Sequence, residues 1–497
     1  MQFNSFQFLV FFPVTLLIYF TVPKKLRYLW LLAASYYFYM SWSVKYSLLL
    51  LFSTTVTYGG SLLIHKYGTT GEKRKAKLTL TAVLALNFGI LVYFKYANFL
   101  LSSLEVVLHA LSIPASFSAV DVLLPVGISF YIFQAVGYSF DVYYGKLAPE
   151  TNLLRYALFV SYFPQLVAGP IERSGNLLPQ LKNVESIKLW DGKRIRRGAL
   201  LMLYGFILKM IISDRCAIAV DEVFNNCLNY TAGAYVAAAL LFTVQIYCDF
   251  AGYTYIAIGT SRIMGVELMN NFNSPYLAVS IKDFWNRWHI SLSTWFKDYL
   301  YIPLGGSRKG RLRKCFNLFV VFAVSGLWHG AGWNFILWGI IHAIYRIAEE
   351  LTAEPRKELR QRLGIAEDNP LLMLVQRLVT FCLVAFAWLF FRIQNFDQLK
   401  YMVYCIFMTT WQLGSIWSSG IGAMALLTPE WKVLAVSLVF LAVSDILREK
   451  KIPFSDWFEA RSPVFRAATF ILGILLILTF GIYGSSYDPA AFIYFQF

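Results

Sequence analysis

Apolar runs of nearly 20 residues recur along the whole chain, each closed by a short polar or basic link. They fall at 3–22, 26–43, 46–65, 78–100, 122–140, 198–220, 233–260, 371–391, 430–447 and 466–484. Wound as a helix, ~20 residues rise through the ~30 Å hydrocarbon core of a bilayer. Lipid offers no partner for open backbone N–H and C=O groups, so only helices and closed barrels span it. Barrel strands alternate over ~10 residues, and these runs are about twice that long. The pattern predicts an all-α polytopic membrane protein of about 10–12 transmembrane helices.

Two regions break the rhythm. The run 152–168 is short, contains Pro164 and stops at Gly169 and Pro170, so it is expected to dip into the membrane and return. The stretch 275–345 carries an aromatic, basic segment and then two apolar pieces that meet near His329. Irregular backbone at membrane depth is tolerated only inside protein or beside a cavity, which makes 275–345 the expected catalytic region. The piece 396–412 suits the interface rather than a span. The polar stretch 346–370 reads as a cytoplasmic loop with some helix. Residues 1–497 read as one membrane domain.

Composition sharpens this picture. Apolar residues make up 58% and charged residues 14%, against about 25% charged in an ordinary globular protein. Such a chain cannot cover a water-facing surface, so soluble, disordered and fibrous classes are excluded. The net charge of +16 is unevenly spread. Most Lys and Arg lie in 23–27, 66–77, 171–197, 282–314, 346–362 and 448–466, whereas 101–121, 221–230 and 411–430 have none. Cytoplasmic loops retain Lys and Arg, so the basic stretches are assigned to the cytoplasm and both termini to the outside. A nucleic-acid binder would not alternate in this way, and no nucleic-acid partner is expected. Lys24, Lys25 and Arg27 follow the first apolar run, as in an uncleaved span rather than a signal peptide. The six cysteines show no C-x2-C pair, so no metal site is expected.

Of five histidines, His65 and His109 are incidental by position, while His289, His329 and His342 fall in the irregular region. Histidine exchanges a proton near neutral pH, and an ionisable group within a membrane is a functional candidate by default. His329 lies in SGLWHGAGWNFILWG, with no charged residue between Cys315 and His342, so its imidazole should stay neutral and usable as a general base. The bland alternative is a core histidine bonded to a carbonyl. His289 lies in IKDFWNRWHISLSTWF, where helical spacing puts Trp285, His289 and Phe296 on one face of an interfacial helix. The alternative there is an anchor helix. Arg308, Lys309 and Arg311 follow Gly305 and Gly306 and are candidates for phosphate binding, against simple cytoplasmic retention. Asp249 sits in a long apolar run and needs a partner, a His or a hydroxyl, with either a structural or a base-orienting role. Glu172 and Arg173 offer an ion pair or a substrate contact. Tyr494, in the terminal FIYFQF, is an aromatic anchor or a group that approaches the active cavity from outside.

These residues carry a resemblance. FNSFQFLVFFPV, LPVGISFYIFQAVGYSFDVYYG, LVAGPIERS, QIYCDFAGY, IKDFWNRWHISLSTWFKDYLYIPLGGSR, SGLWHGAGWNFILWG and FIYFQF together resemble the membrane-bound O-acyltransferase family, in its bacterial alginate O-acetylase-like branch. One departure is Tyr255, where the branch usually carries an aspartate. The resemblance implies transmembrane, re-entrant and interfacial helices around a central tunnel, in the bacterial cytoplasmic (inner) membrane. It maps the family's near-invariant histidine to His329 and its second position to His289. It implies an acyl-CoA donor, acetyl-CoA in this branch, used as a substrate with no permanently bound cofactor. It further implies an extracytoplasmic polysaccharide acceptor and a secreted or membrane-tethered acetyltransferase partner, with Tyr494 as a relay acceptor.

The expected function is therefore transfer of acetyl groups from a cytoplasmic thioester to an extracytoplasmic polysaccharide. His329 would act as base, and His289 would orient the donor or stabilise the developing oxyanion. D-alanyl transfer to teichoic acid from a carrier-protein thioester is the alternative within the fold. A transporter or a scaffold is the alternative outside it, and the absence of visible internal repeats weighs against a transporter.

Overall fold

The computed structural model describes residues 1–121, 123–393, 395–408, 421–483 and 493, and among them all regular structure is helical. Among the described residues, five helices are long and apolar enough to cross a membrane: Val44–Thr69, Lys73–Ala110, Ala232–Met264, Pro370–Arg392 and Pro463–Phe480. The Phe6–Thr21 helix is apolar but shorter. Helices also occupy the other expected runs, at Arg27–Met40, Ile128–Tyr143 and Thr428–Glu449. The run at 198–220 is divided among Gly192–Phe206, a π-helical turn Ile207–Ser213, and Asp214–Asn225.

The chain forms two compact units, Met1–Ala199 with Ala257–Met269, and Leu200–Ile256 with Asn270–Phe497. In the first, Val44–Thr69 packs on Lys73–Leu91 and on Ile128–Tyr143. Small and hydroxylated residues make that approach close. A Cβ on Gly60 would lie 2.2 Å from Val83 Cγ2, and Ser53 donates to Asn87 Oδ1 at 2.6 Å. Every residue of Ile128–Tyr143 except Phe140 and Tyr143 is buried, so this helix shows almost no lipid face.

The dip expected at 152–168 is a broken pair, Leu153–Ser161 and Phe163–Leu166. The nine residues of the first rise about 14 Å, half of what a span needs. The predicted link at 101–121 begins later, because the helix from Lys73 runs on to Ala110. Glu172 is buried beside Arg173. Its carboxylate accepts from the Met269 N–H and from Asn176 Nδ2, tying the Ser174–Lys182 helix to the segment after Met264.

In the second unit, Arg311–His329 and Trp333–Leu351 form a tight hairpin. The polar loop expected at 346–370 contains the exposed helix Ala353–Arg362. Only Gly473 of Pro463–Phe480 is buried, and Ile471, Leu472, Ile474, Leu475 and Leu478 are exposed, as on a lipid-facing helix.

Candidate active site

The sequence SGLWHGAGWNFILWG makes the hairpin close. A Cβ on Gly326 would lie 2.3 Å from the Phe335 carbonyl oxygen, and one on Gly339 would lie 2.3 Å from the Phe322 carbonyl oxygen. Only glycine permits this backbone-to-backbone contact. His329 closes the first helix three residues after Gly326, and Trp338 precedes Gly339 on the second. The Trp338 ring accordingly lies 5.0 Å from the His329 ring at 86°. Trp328 at 4.9 Å and Phe391 at 5.5 Å complete an edge-to-face aromatic cage. His329 is buried.

His289 joins this cage. Its ring is 6.3 Å from that of His329, 5.8 Å from Trp328 and 4.7 Å from Phe250. The structure corrects the continuous helix expected here. Ile281–Arg287 and Ile290–Phe296 are separate helices, broken at Trp288 and His289, and His289 takes φ 43°, ψ 53°. The left-handed region costs a residue with a Cβ about 1–2 kcal/mol. Asn271 compensates: its backbone carbonyl accepts from the Ile290 N–H at 3.0 Å. Its side-chain Oδ1 accepts from the Ser291 N–H at 3.1 Å and from Ser291 Oγ at 2.9 Å, and lies 3.1 Å from His289 Nδ1. The third histidine, His342, is buried one layer away. Its Nδ1 accepts from Trp285 Nε1 at 3.3 Å, and its ring is 4.9 Å from Trp338.

A cavity of about 360 Å³ adjoins this layer. Exposed Lys297 and Ser307 lie at its outer end and buried Trp285, Phe322 and Ser325 at its inner end. Ser325 lies one helical turn before His329, so the wall stops one turn short of that imidazole. Lys282, Lys297, Lys314 and Arg346 line it, with Glu350 the one carboxylate. Hydrogen bonding from the Lys314 ammonium holds the Glu350 carboxyl below its usual range against the opposing effect of burial, helped by the charges of Arg346 and Lys282. Arg308, Lys309 and Arg311, the candidates for phosphate binding, are not among the residues of this wall. Arg311 instead donates to the Glu350 and Leu351 carbonyls at the end of Trp333–Leu351, a favourable place for a cation.

Asp249 has a partner of a kind not expected. Lys209, on the π-helical turn, places Nζ 2.6 Å from Asp249 and 2.8 Å from Asp214, all three buried. The second oxygen of Asp249 accepts from the Ile493 N–H at 2.8 Å. Among the described residues Asp249 thus meets Lys209 and the Ile493 N–H rather than a histidine. Tyr255, the departure from the family pattern, accepts from Arg448. Tyr494 lies outside the described residues.

Sequence reading missed Asn271 and Lys209. Lys209 was legible as a lone cation in the apolar run FILKMII. Asn271 carried only the weak signal of an asparagine-rich link, MNNFNSPY.

Two buried imidazoles in an aromatic cage, beside a cation-lined cavity in a helical membrane protein, suit acyl transfer. Residues 149–354 match the MBOAT, membrane-bound O-acyltransferase family. The whole chain is 35% identical to "Probable alginate O-acetylase AlgI" of Pseudomonas putida, covering 99% of both. The protein belongs to this family, in the alginate O-acetylase-like group, and is a multi-pass membrane O-acyltransferase. It is also 34% identical to the peptidoglycan O-acetyltransferase of Helicobacter pylori, over 78% of this chain and 76% of that one. Identity to the teichoic acid D-alanyltransferase of Bacillus subtilis is 31%, over 44% of this chain and 57% of that one.

Proposed function

We propose that the protein moves acetyl groups from a cytoplasmic thioester, acetyl-CoA, to hydroxyls of an extracytoplasmic polysaccharide, from the bacterial inner membrane with both termini outside. The observation that carries this reading is the pair His329 and His289, 6.3 Å apart in a ring of aromatic side chains, next to a cavity with four cations. His329 accepts the proton of the attacking hydroxyl. The new C–O bond forms, the C–S bond breaks, and the proton passes to the departing sulfur. Trp328, Trp338 and Phe391 keep out water, which would compete as acceptor. Lys282, Lys297, Lys314 and Arg346 attract the phosphates of the donor.

Extension to a polysaccharide rests on the relatives. They act, by name, on alginate and peptidoglycan, and those matches cover far more of the chain than the teichoic acid D-alanyltransferases do. An exported acetyltransferase partner finishes the transfer, with Tyr494 as relay. Tyr494→Phe then stops acetylation of the polymer, and full transfer in that variant refutes the relay.

The donor is tested by reconstituting the protein in vesicles with its partner and supplying labelled acetyl-CoA or a labelled D-alanyl carrier protein. Label moving from acetyl-CoA alone supports the reading. Label moving only from the carrier protein replaces it with D-alanyl transfer, and no movement from either donor leaves a transporter or scaffold.

A further inference from the structure

Three groups converge on Asn271 Oδ1, and one of them fixes the chemistry of the rest. The Ser291 backbone N–H, 3.1 Å away, can only donate. The amide atom opposite is therefore oxygen, since a flipped carboxamide would set two donors head to head. The Ser291 hydroxyl, at 2.9 Å, donates to the same oxygen. His289 Nδ1, at 3.1 Å, faces an acceptor and so carries the ring's proton. A neutral imidazole has one N–H, which leaves the lone pair on Nε2.

This tautomer bears on the oxyanion duty expected of His289. A neutral ring with its proton on Nδ1 has no Nε2–H to offer an oxyanion. It has instead a proton-accepting nitrogen, and the Asn271 oxygen stabilises the imidazolium that forms when Nε2 is protonated. The backbone makes the arrangement stiff. The Ile290 N–H bonds the Asn271 carbonyl at 3.0 Å, and His289 is held in left-handed geometry, a strained conformation that persists where surrounding bonds over-determine it.

We infer that Asn271 is a positioning residue for acyl transfer, locking His289 in the tautomer whose Nε2 accepts a proton. This rests on the reading that the two imidazoles serve the transfer. His289 then stands beside His329 as a second base for the attacking hydroxyl: the proton leaves oxygen as C–O forms and reaches sulfur as C–S breaks.

The direct test is solid-state nitrogen NMR of the full-length protein in lipid with labelled histidine, the His289 signals assigned by their loss in His289→Gln. A protonated Nδ1 and a bare Nε2 at neutral pH are expected, and the opposite tautomer overturns the inference. In parallel, Asn271→Leu should lower kcat per folded protein by about 100-fold, the lower end of a general base's contribution, with KM for acetyl-CoA little changed. Asn271→Asp, which keeps the acceptor, should restore most of it. Should Asn271→Leu fail to fold, the tautomer measurement and Asn271→Asp still decide: an Asp variant as inactive as His289→Ala overturns the inference. Unchanged turnover in both His289→Ala and His329→Ala defeats the reading of the site itself, while the tautomer result stands apart from it.

Discussion

Gly339→Ala probes the link between helix packing and chemistry. The added Cβ would sit 2.3 Å from the Phe322 carbonyl oxygen, and ordinary contact begins near 3.4 Å. The helices Arg311–His329 and Trp333–Leu351 must therefore separate or slide by 3.4 − 2.3 = 1.1 Å, because the obstacle is backbone and no rotamer can relieve it. Overpacking of this kind costs about 1–3 kcal/mol. Trp338 adjoins the substituted residue and its ring is 5.0 Å from His329, so the shift passes straight into the cage. A displacement of ~1 Å in a reacting constellation costs ~100-fold in rate. Acetyl transfer per folded protein and thermal unfolding in detergent read the two effects separately. Gly59→Ala, where a Cβ meets nothing within 4 Å, is the matched control and should leave both unchanged or slightly raise stability. A Gly339→Ala protein with wild-type rate and stability would refute the reasoning.

Two further outcomes follow from other parts of the molecule. Asp249→Ala removes one carboxylate paired with Lys209 and the acceptor of the Ile493 N–H, and breaking a buried pair costs about 3–5 kcal/mol, so unfolding of the protein in detergent should begin at clearly lower temperature. Wild-type melting would show that the ion cluster is not structural. Lys282→Gln with Lys297→Gln removes two of the four cations lining the cavity and should raise KM for acetyl-CoA about 2–5-fold, at about 0.5–1 kcal/mol for the pair, with kcat little changed and the difference shrinking in high salt. Equal KM at low salt would place the donor's phosphates elsewhere.

Much of this architecture was legible because lipid allows so few solutions. A run such as 233–260 has one stable form in a bilayer, and the helix Ala232–Met264 occupies it. His329 stood out because an imidazole among Gly and Trp with no charged neighbour is hard to explain as surface. What escaped was set by contacts distant in sequence. Periodicity put His289 on a continuous helix, but Asn271, 18 residues earlier, captures the Ser291 N–H and breaks it. The partner of Asp249 lies 40 positions away on a π-helical turn that no propensity marks. The Arg308, Lys309 and Arg311 cluster, a phosphate candidate because it follows two glycines, is outside the cavity wall. Its Arg311 faces the end of a neighbouring helix, while cations from four separate segments line the cavity.

The account turns on the His329 imidazole as the base that accepts the hydroxyl's proton. The most direct measurement is acetyl transfer by His329→Ala in reconstituted vesicles, with insertion and thermal unfolding checked on the same sample. A loss of at least about 100-fold in a protein that remains folded in the membrane is predicted. Transfer at the wild-type rate would contradict it.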